Sequence, residues 1–161
     1  MCGKVCTRRC EDVCAIASRG EALAIRWLKR YATETASTAE MTHEIVNPEI
    51  REANGKTVGI VGAGPSGLTA AYYLALRGYD VTIYEANAKA GGATMYGIPK
   101  YRLPIESLDK QIDYIQSIGV KINFNTKVGK DISFKEIYDK FDVVFMGVGF
   151  PDAWPLGVDG D

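Results

Sequence analysis

Cys2, Cys6, Cys10 and Cys14 are separated by three intervening residues each time, and no cysteine follows them. A disulfide framework would spread its cysteines through a secreted fold, whereas a tight cluster in a reducing compartment points to metal or iron–sulfur ligation. Thiolates are the soft ligands that such clusters use. Lys4, Arg8 and Arg9 lie among them and would offset the negative charge. On one straight helix the four would span ~18 Å at ~1.5 Å per residue, so the segment must bend for its sulfurs to converge. Two other readings stay open: four free thiols in an incomplete site, and a structural zinc site, for which three-residue gaps are less usual than two. His43, the only histidine, reads as a solvated linker residue.

The second constellation is Gly62-Ala63-Gly64-Pro65-Ser66-Gly67. It follows a β-branched run, opens a helical stretch, and precedes a second strand that ends in Glu85. That is the full context of a dinucleotide fingerprint. Gly62 allows the tight turn, Gly64 lets backbone approach a pyrophosphate, and Gly67 lets the helix pack on the sheet. Backbone N–H groups at the helix start would hold phosphate charge, and Glu85 can accept hydrogen bonds from ribose hydroxyls. The fingerprint alone does not separate FAD from NAD. Further along, the pair Gly91-Gly92, followed by Ala93, could let backbone approach the rest of a long, extended cofactor. Arg102 could neutralise pyrophosphate charge, the alternative being a solvated arginine on a surface loop.

These residues need elements to hold them. TVGIV (57–61) reads as a buried strand, 66–77 as a helix closed by Gly78, and DVTIYE (80–85) as a second strand. A loop over 86–103 leads to a helix from Pro104 to Gly119, with Ile105, Leu108, Ile112 and Ile115 on one face. VKINF (120–124) is a third strand, Ser133 with Glu136 is a capping box, and DVVFMGVG (142–149) is a fourth strand. The alternation predicts an α/β fold, a Rossmann-like parallel sheet with right-handed crossovers, after a short α-helical, cysteine-rich segment. There, 21–34 reads as a helix with Leu23, Trp27, Leu28 and Tyr31 on one face, expected to shield the cysteines from water. Residues 35–56 read as a linker. Composition thus divides the chain into 1–54 and 55–161.

The 161 residues carry 19 basic and 20 acidic side chains, a net charge of -1, which argues against nucleic acid and an anionic membrane surface as partners. No apolar run approaches the ~20 residues that span a bilayer, and MCGKVC lacks the apolar stretch of a signal peptide. A cytoplasmic location is expected.

The segments CGKVCTRRCEDVC, LAIRWLKRYATE, GIVGAGPSGLTAAYYLALRGYDVTIYEA, GGATMYGIPKYRLP and VGKDI occur in an order that resembles the small (beta) subunit of glutamate synthase and its relatives. Those relatives include the flavin portion of dihydropyrimidine dehydrogenase and bifurcating NADPH:ferredoxin-type enzymes. The resemblance implies that NAD(P)H reduces an FAD, which passes single electrons through 4Fe-4S clusters to an electron-accepting partner subunit or domain. By that pattern Gly62, Ala63, Gly64, Ser66, Gly67, Glu85, Gly92, Ala93 and Arg102 match FAD-contacting positions. Val128 falls where the family places a backbone contact to adenine. Cys6, Cys10 and Cys14 match cluster ligands, and Cys2 matches a further family cysteine. The family also has earlier cysteines and a second Rossmann domain for NAD(P)H, so the chain is expected to be a fragment or one piece of a split enzyme, inactive alone. The alternatives are a bifurcating transhydrogenase, a pyrimidine-reducing subunit, or a non-catalytic nucleotide-binding module.

Overall fold

The computed structural model describes residues 2–35, 50–150 and 157, with the side chain of Cys2 outside that set. His43, most of the expected linker and most of PLGVDGD also lie outside it. The chain forms two compact units, one of Met1–Glu49 with Pro99–Leu108, the other of Ile50–Ile98 with Asp109–Asp161.

The second unit is the α/β fold that the alternation predicts. Strands β1 (Thr57–Val61), β2 (Asp80–Tyr84), β3 (Lys121–Asn123) and β4 (Val143–Met146) form one parallel sheet in the order β3-β2-β1-β4. β1 and β2 are buried on both faces after their first residue, as a central parallel strand should be. Register is continuous: Ile60 lies opposite Ile83 on one side and Phe145 on the other. The helix Pro65–Leu76 packs on β1 and β2 through Gly67, Leu68, Ala71 and Ala75, and the small size of the glycine and the two alanines lets it lie close. It ends as expected, with Gly78 left-handed at φ 82. On another face Val61, Tyr84 and Ile137 form a core cluster, with Val128, Ile132, Phe141 and Val144 packed around it. Ile137 comes from the helix Phe134–Lys140, whose capping box is present: Ser133 Oγ accepts from Glu136 N–H, and Glu136 accepts from Ser133 N–H. That bonding holds the Glu136 carboxyl below its ordinary range.

The cysteine-bearing unit is built differently. Helix α1 (Cys2–Val5) and helix α2 (Arg9–Asp12) are one turn each, a 3-10 turn covers Ala15–Arg19, and α3 runs Ile25–Thr35. In chain order the later helices are α4 (Pro65–Leu76), α5 (Ala93–Tyr96), α6 (Ile105–Ser117) and α7 (Phe134–Lys140). Two expectations need correction. α3 begins at Ile25 rather than 21, after the tight bond from Ile25 N–H to the Leu23 carbonyl. Its apolar stripe does not shield the cysteines: Trp27 is 55 % and Tyr31 72 % exposed. The stripe has the right period, but periodicity does not say what covers it.

Candidate functional site

The carboxyl ends of three strands meet at a cleft of about 540 Å³. β1 delivers Gly62, β2 delivers Glu85 and Asn87, and β4 delivers residues 147–150. Strand order reverses at β1, so the cleft lies at the topological switch point where open α/β sheets bind ligands.

The glycines of the first turn have separate duties. Gly62 has φ 97, and a Cβ there would press on the Gly147 carbonyl oxygen. A Cβ at Gly67 would collide with the Gly62 carbonyl. Both serve the fold. Gly64 does not: its φ of -76 suits any residue, and a Cβ there would meet only the Gly92 Cα, 3.9 Å away. Yet Gly64 lines the cleft. Across from it Gly92 has φ 51, and a Cβ there would stand 2.9 Å from the Gly64 Cα. Two stretches of bare backbone therefore make the floor of the cleft. α4 opens at that floor with Pro65, which has no N–H to leave unpaired, followed by Ser66. The N–H groups of its first turn are the natural partners of an anion.

Glu85 is 5 % exposed and lines the cleft. Its Oε2 accepts from the Ala63 N–H at 2.7 Å, and its Oε1 accepts from the backbone and side-chain N–H groups of Asn87 at 2.8 and 2.9 Å. A carboxylate offers about four lone-pair sites, so acceptor capacity remains for hydroxyls. Ala63 is buried, and its carbonyl accepts from the Gly91 N–H at 2.7 Å. Ala63 and Gly91 thus brace the floor from beneath. Ala93 lines the cleft at the start of α5. Val128 is placed elsewhere, against the Val61, Tyr84 and Ile137 cluster, and is not among the lining residues. Arg102 is exposed and belongs to the other compact unit.

Asn87, Tyr96, Gly97 and residues 147–150 line the cleft without having been singled out. For 147–149 a signal existed, since the fourth strand is expected over 142–149; it ends at Met146, and 147–150 follow it without regular structure. Tyr96 had none, because α5 sits inside a stretch that reads as loop.

In the cysteine unit the required bend is present. The chain turns at Arg8, which is left-handed at φ 67, so α1 and α2 do not form one helix. Cys6, Cys10 and Cys14 are half-buried thiols, not disulfides. Cys6 Sγ accepts from the Arg8 N–H at 3.5 Å. Backbone N–H groups of Leu23 and then Ile16 hold the Cys14 thiol below its ordinary range. Among the described residues no three His, Cys, Asp or Glu side chains gather closely enough to hold a single metal ion. An iron–sulfur cluster asks for something else, one thiolate per iron around a cube. Thiols with N–H donors turned toward their sulfurs fit that chemistry, because such donors stabilise thiolate charge.

Residues 1–41 match the family described as dihydropyrimidine dehydrogenase domain II, 4Fe-4S cluster, and residues 60–112 match the NAD(P)-binding Rossmann-like domain. Across its full length the chain is 31% identical to the glutamate synthase [NADPH] small chain of Escherichia coli, covering 34% of that protein. The chain is thus similar in sequence to a glutamate synthase small chain over about a third of that protein's length. It is also 44% identical to the NADPH-Fe(3+) oxidoreductase subunit beta of Geobacter sulfurreducens, covering 100% of this chain and 24% of that one. With the NADP(+)-dependent formate dehydrogenase subunit beta of Moorella thermoacetica it shares 39% identity, over 99% of this chain and 25% of that one. The chain therefore spans about a quarter to a third of the length of these relatives. Among the described residues no helix is long and apolar enough to cross a membrane.

Proposed function

We propose that this chain is the FAD-binding and cluster-bearing part of an NAD(P)H-dependent oxidoreductase of small-chain type. Residues 1–54 contribute ligands to a 4Fe-4S cluster, through Cys6, Cys10 and Cys14 with Cys2 as a further candidate, and residues 55–161 hold the dinucleotide. The observation that carries the reading is the bare floor at Gly64 and Gly92, set at the strand switch point beside the buried carboxylate of Glu85. A pyrophosphate needs close backbone approach at such a place, and a ribose needs the carboxylate. The second glycine segment extends the floor beyond what a single fingerprint supplies, which favours the longer flavin dinucleotide. Arg102 and Val128 are candidates for further FAD contacts by family resemblance. A bound flavin would take an electron pair from reduced nicotinamide and release it singly, as a one-electron cluster carrier requires. The relatives are named as subunits, which supports an electron-accepting partner, and a cytoplasmic setting suits reduced thiols.

Gly64→Val tests the reading cleanly. The added Cβ would stand in ordinary van der Waals contact with the Gly92 Cα and clash with nothing, so unfolding should be little changed while bound flavin is lost. Flavin absorbance of the purified protein beside its denaturation curve measures both. Retained flavin in the variant would sink the assignment, as would tighter binding of NAD(H) than of FAD by the unsubstituted chain.

A further inference from the structure

Arg26, the second residue of α3, bonds to both short cysteine-bearing helices. Its Nε donates to the Gly3 carbonyl at 3.2 Å, and its Nη2 donates to the Lys4 carbonyl at 2.8 Å. Its backbone N–H donates to Glu11 Oε1 at 2.8 Å. The carbonyls belong to α1, between Cys2 and Cys6, and Glu11 belongs to α2, next to Cys10. Contact between α1 and α3 is direct, because a Cβ on the buried Gly3 would stand 2.6 Å from the Arg30 Cα.

One-turn helices do not persist by themselves. α1 has its last carbonyls without helical partners, and a guanidinium there meets them with a planar fork and a favourable charge. Glu11 does the converse for α3, putting a carboxylate on an N–H of its first turn. The two contacts share one residue. They therefore fix where α1, which leads directly into Cys6, stands relative to the helix carrying Cys10, using protein groups alone.

We propose that Arg26 is a positioning residue for the cluster ligands: with Glu11 it presents Cys6 and Cys10 in place before iron arrives. The proposal rests on the cluster reading above, and its test separates the two. The full chain is reconstituted anaerobically with ferrous iron and sulfide in four forms: unsubstituted, R26Q, R26K and, as an exposed control in the same unit, R19Q. Four quantities are read: iron and sulfide content, the rate at which a chelator strips iron, the electron paramagnetic resonance spectrum of the reduced cluster, and amide exchange of residues 3–12 in the metal-free chain. R26Q should lose iron about 10-fold faster, the lower end of what outer-shell partners of metal ligands contribute. Its resonance spectrum should be altered, and its metal-free amides should exchange faster. R26K keeps charge without the fork and should fall between R26Q and the unsubstituted chain. R19Q should match the unsubstituted chain, and unchanged flavin content in all forms shows the other unit intact.

Equal stripping rates and spectra for R26Q and the unsubstituted chain would overturn the role of Arg26 and leave the cluster reading standing. Equal loss in R26Q and R19Q would reduce the effect to net charge and overturn positioning. If R26Q does not fold, R26K decides, unsubstituted behaviour counting against the proposal. An unsubstituted chain that takes up neither iron nor sulfide overturns both readings.

Discussion

The sheet and the cysteine segment keep their shape by opposite means. Val58, Ile60, Val81 and Ile83 are buried to within 1 % of completely, and helices pack on the strands that carry them. In residues 2–35 the apolar side chains Val13, Ile16, Leu23, Trp27, Leu28 and Tyr31 are all exposed. What joins the pieces there is polar: Arg26 to the α1 carbonyls, Glu11 to α3, and Lys4 to Glu34 at 3.3 Å. Arg30 and then Lys4 hold the Glu34 carboxyl below its ordinary range. A segment whose large apolar side chains are exposed, as these are, depends on staples, and a bound metal centre is one whose binding energy becomes folding energy.

The sharpest way to break this comparison is to delete apolar volume on each side of it. Ile60→Ala should cost about 2–5 kcal/mol in denaturant unfolding, the range for emptying a packed aliphatic site. Leu28→Ala, 60 % exposed, should stay within about 0.5 kcal/mol. Comparable losses would mean that the cysteine segment has an apolar core after all. Cluster removal is the complementary test. A chelator should bring amide exchange over residues 2–35 toward the fast limit while β1 and β2 keep the protection of global unfolding; loss of protection in both would refute independent support. On a smaller scale, Ser133→Ala removes the capping box of α7 and should cost about 1 kcal/mol in the same unfolding assay.

The smallest effect is a pH dependence of the sheet. The backbone N–H and then the hydroxyl of Thr57 donate to Asp142 and hold its carboxyl below the ordinary range. A carboxylate lowered on folding contributes stability that is present above its unfolded pKa, about 3.9, and is lost as pH falls through the folded value. Asp142→Asn should lower stability slightly at neutral pH, flatten the acid limb below about pH 4 and leave the lowest pH nearly unchanged, measured by thermal unfolding across pH. An unchanged acid limb would show that the interaction is screened away.

Much of the dinucleotide unit was legible because its signals are local. Strand composition, the glycine spacing, the strand-end Glu85 and the Ser133–Glu136 pair each lie within a few residues of what they specify. The parts that were not legible depend on distant contacts. Residues 147–150 carried a signal through the fourth strand, but that they line this cleft depends on β4 pairing with β1, with Val58 opposite Val143 across the sheet. Gly92 matters through its approach to Gly64, and α5 forms inside what reads as loop because its first turn closes on the Gly92 carbonyl. In the cysteine segment the need for a bend was legible, but its place at Arg8 was not, since a left-handed arginine has no local sequence mark.

Glu85 reaches the cleft with its rotamer already chosen. Each oxygen is anchored by a backbone N–H, Ala63 on one and Asn87 on the other. Immobilising a side chain at a binding surface ordinarily costs about 0.5–1.5 kcal/mol of entropy during association. Here that ordering is completed when the chain folds, so the ribose proposed for this site would form its bonds without freezing the group that receives them.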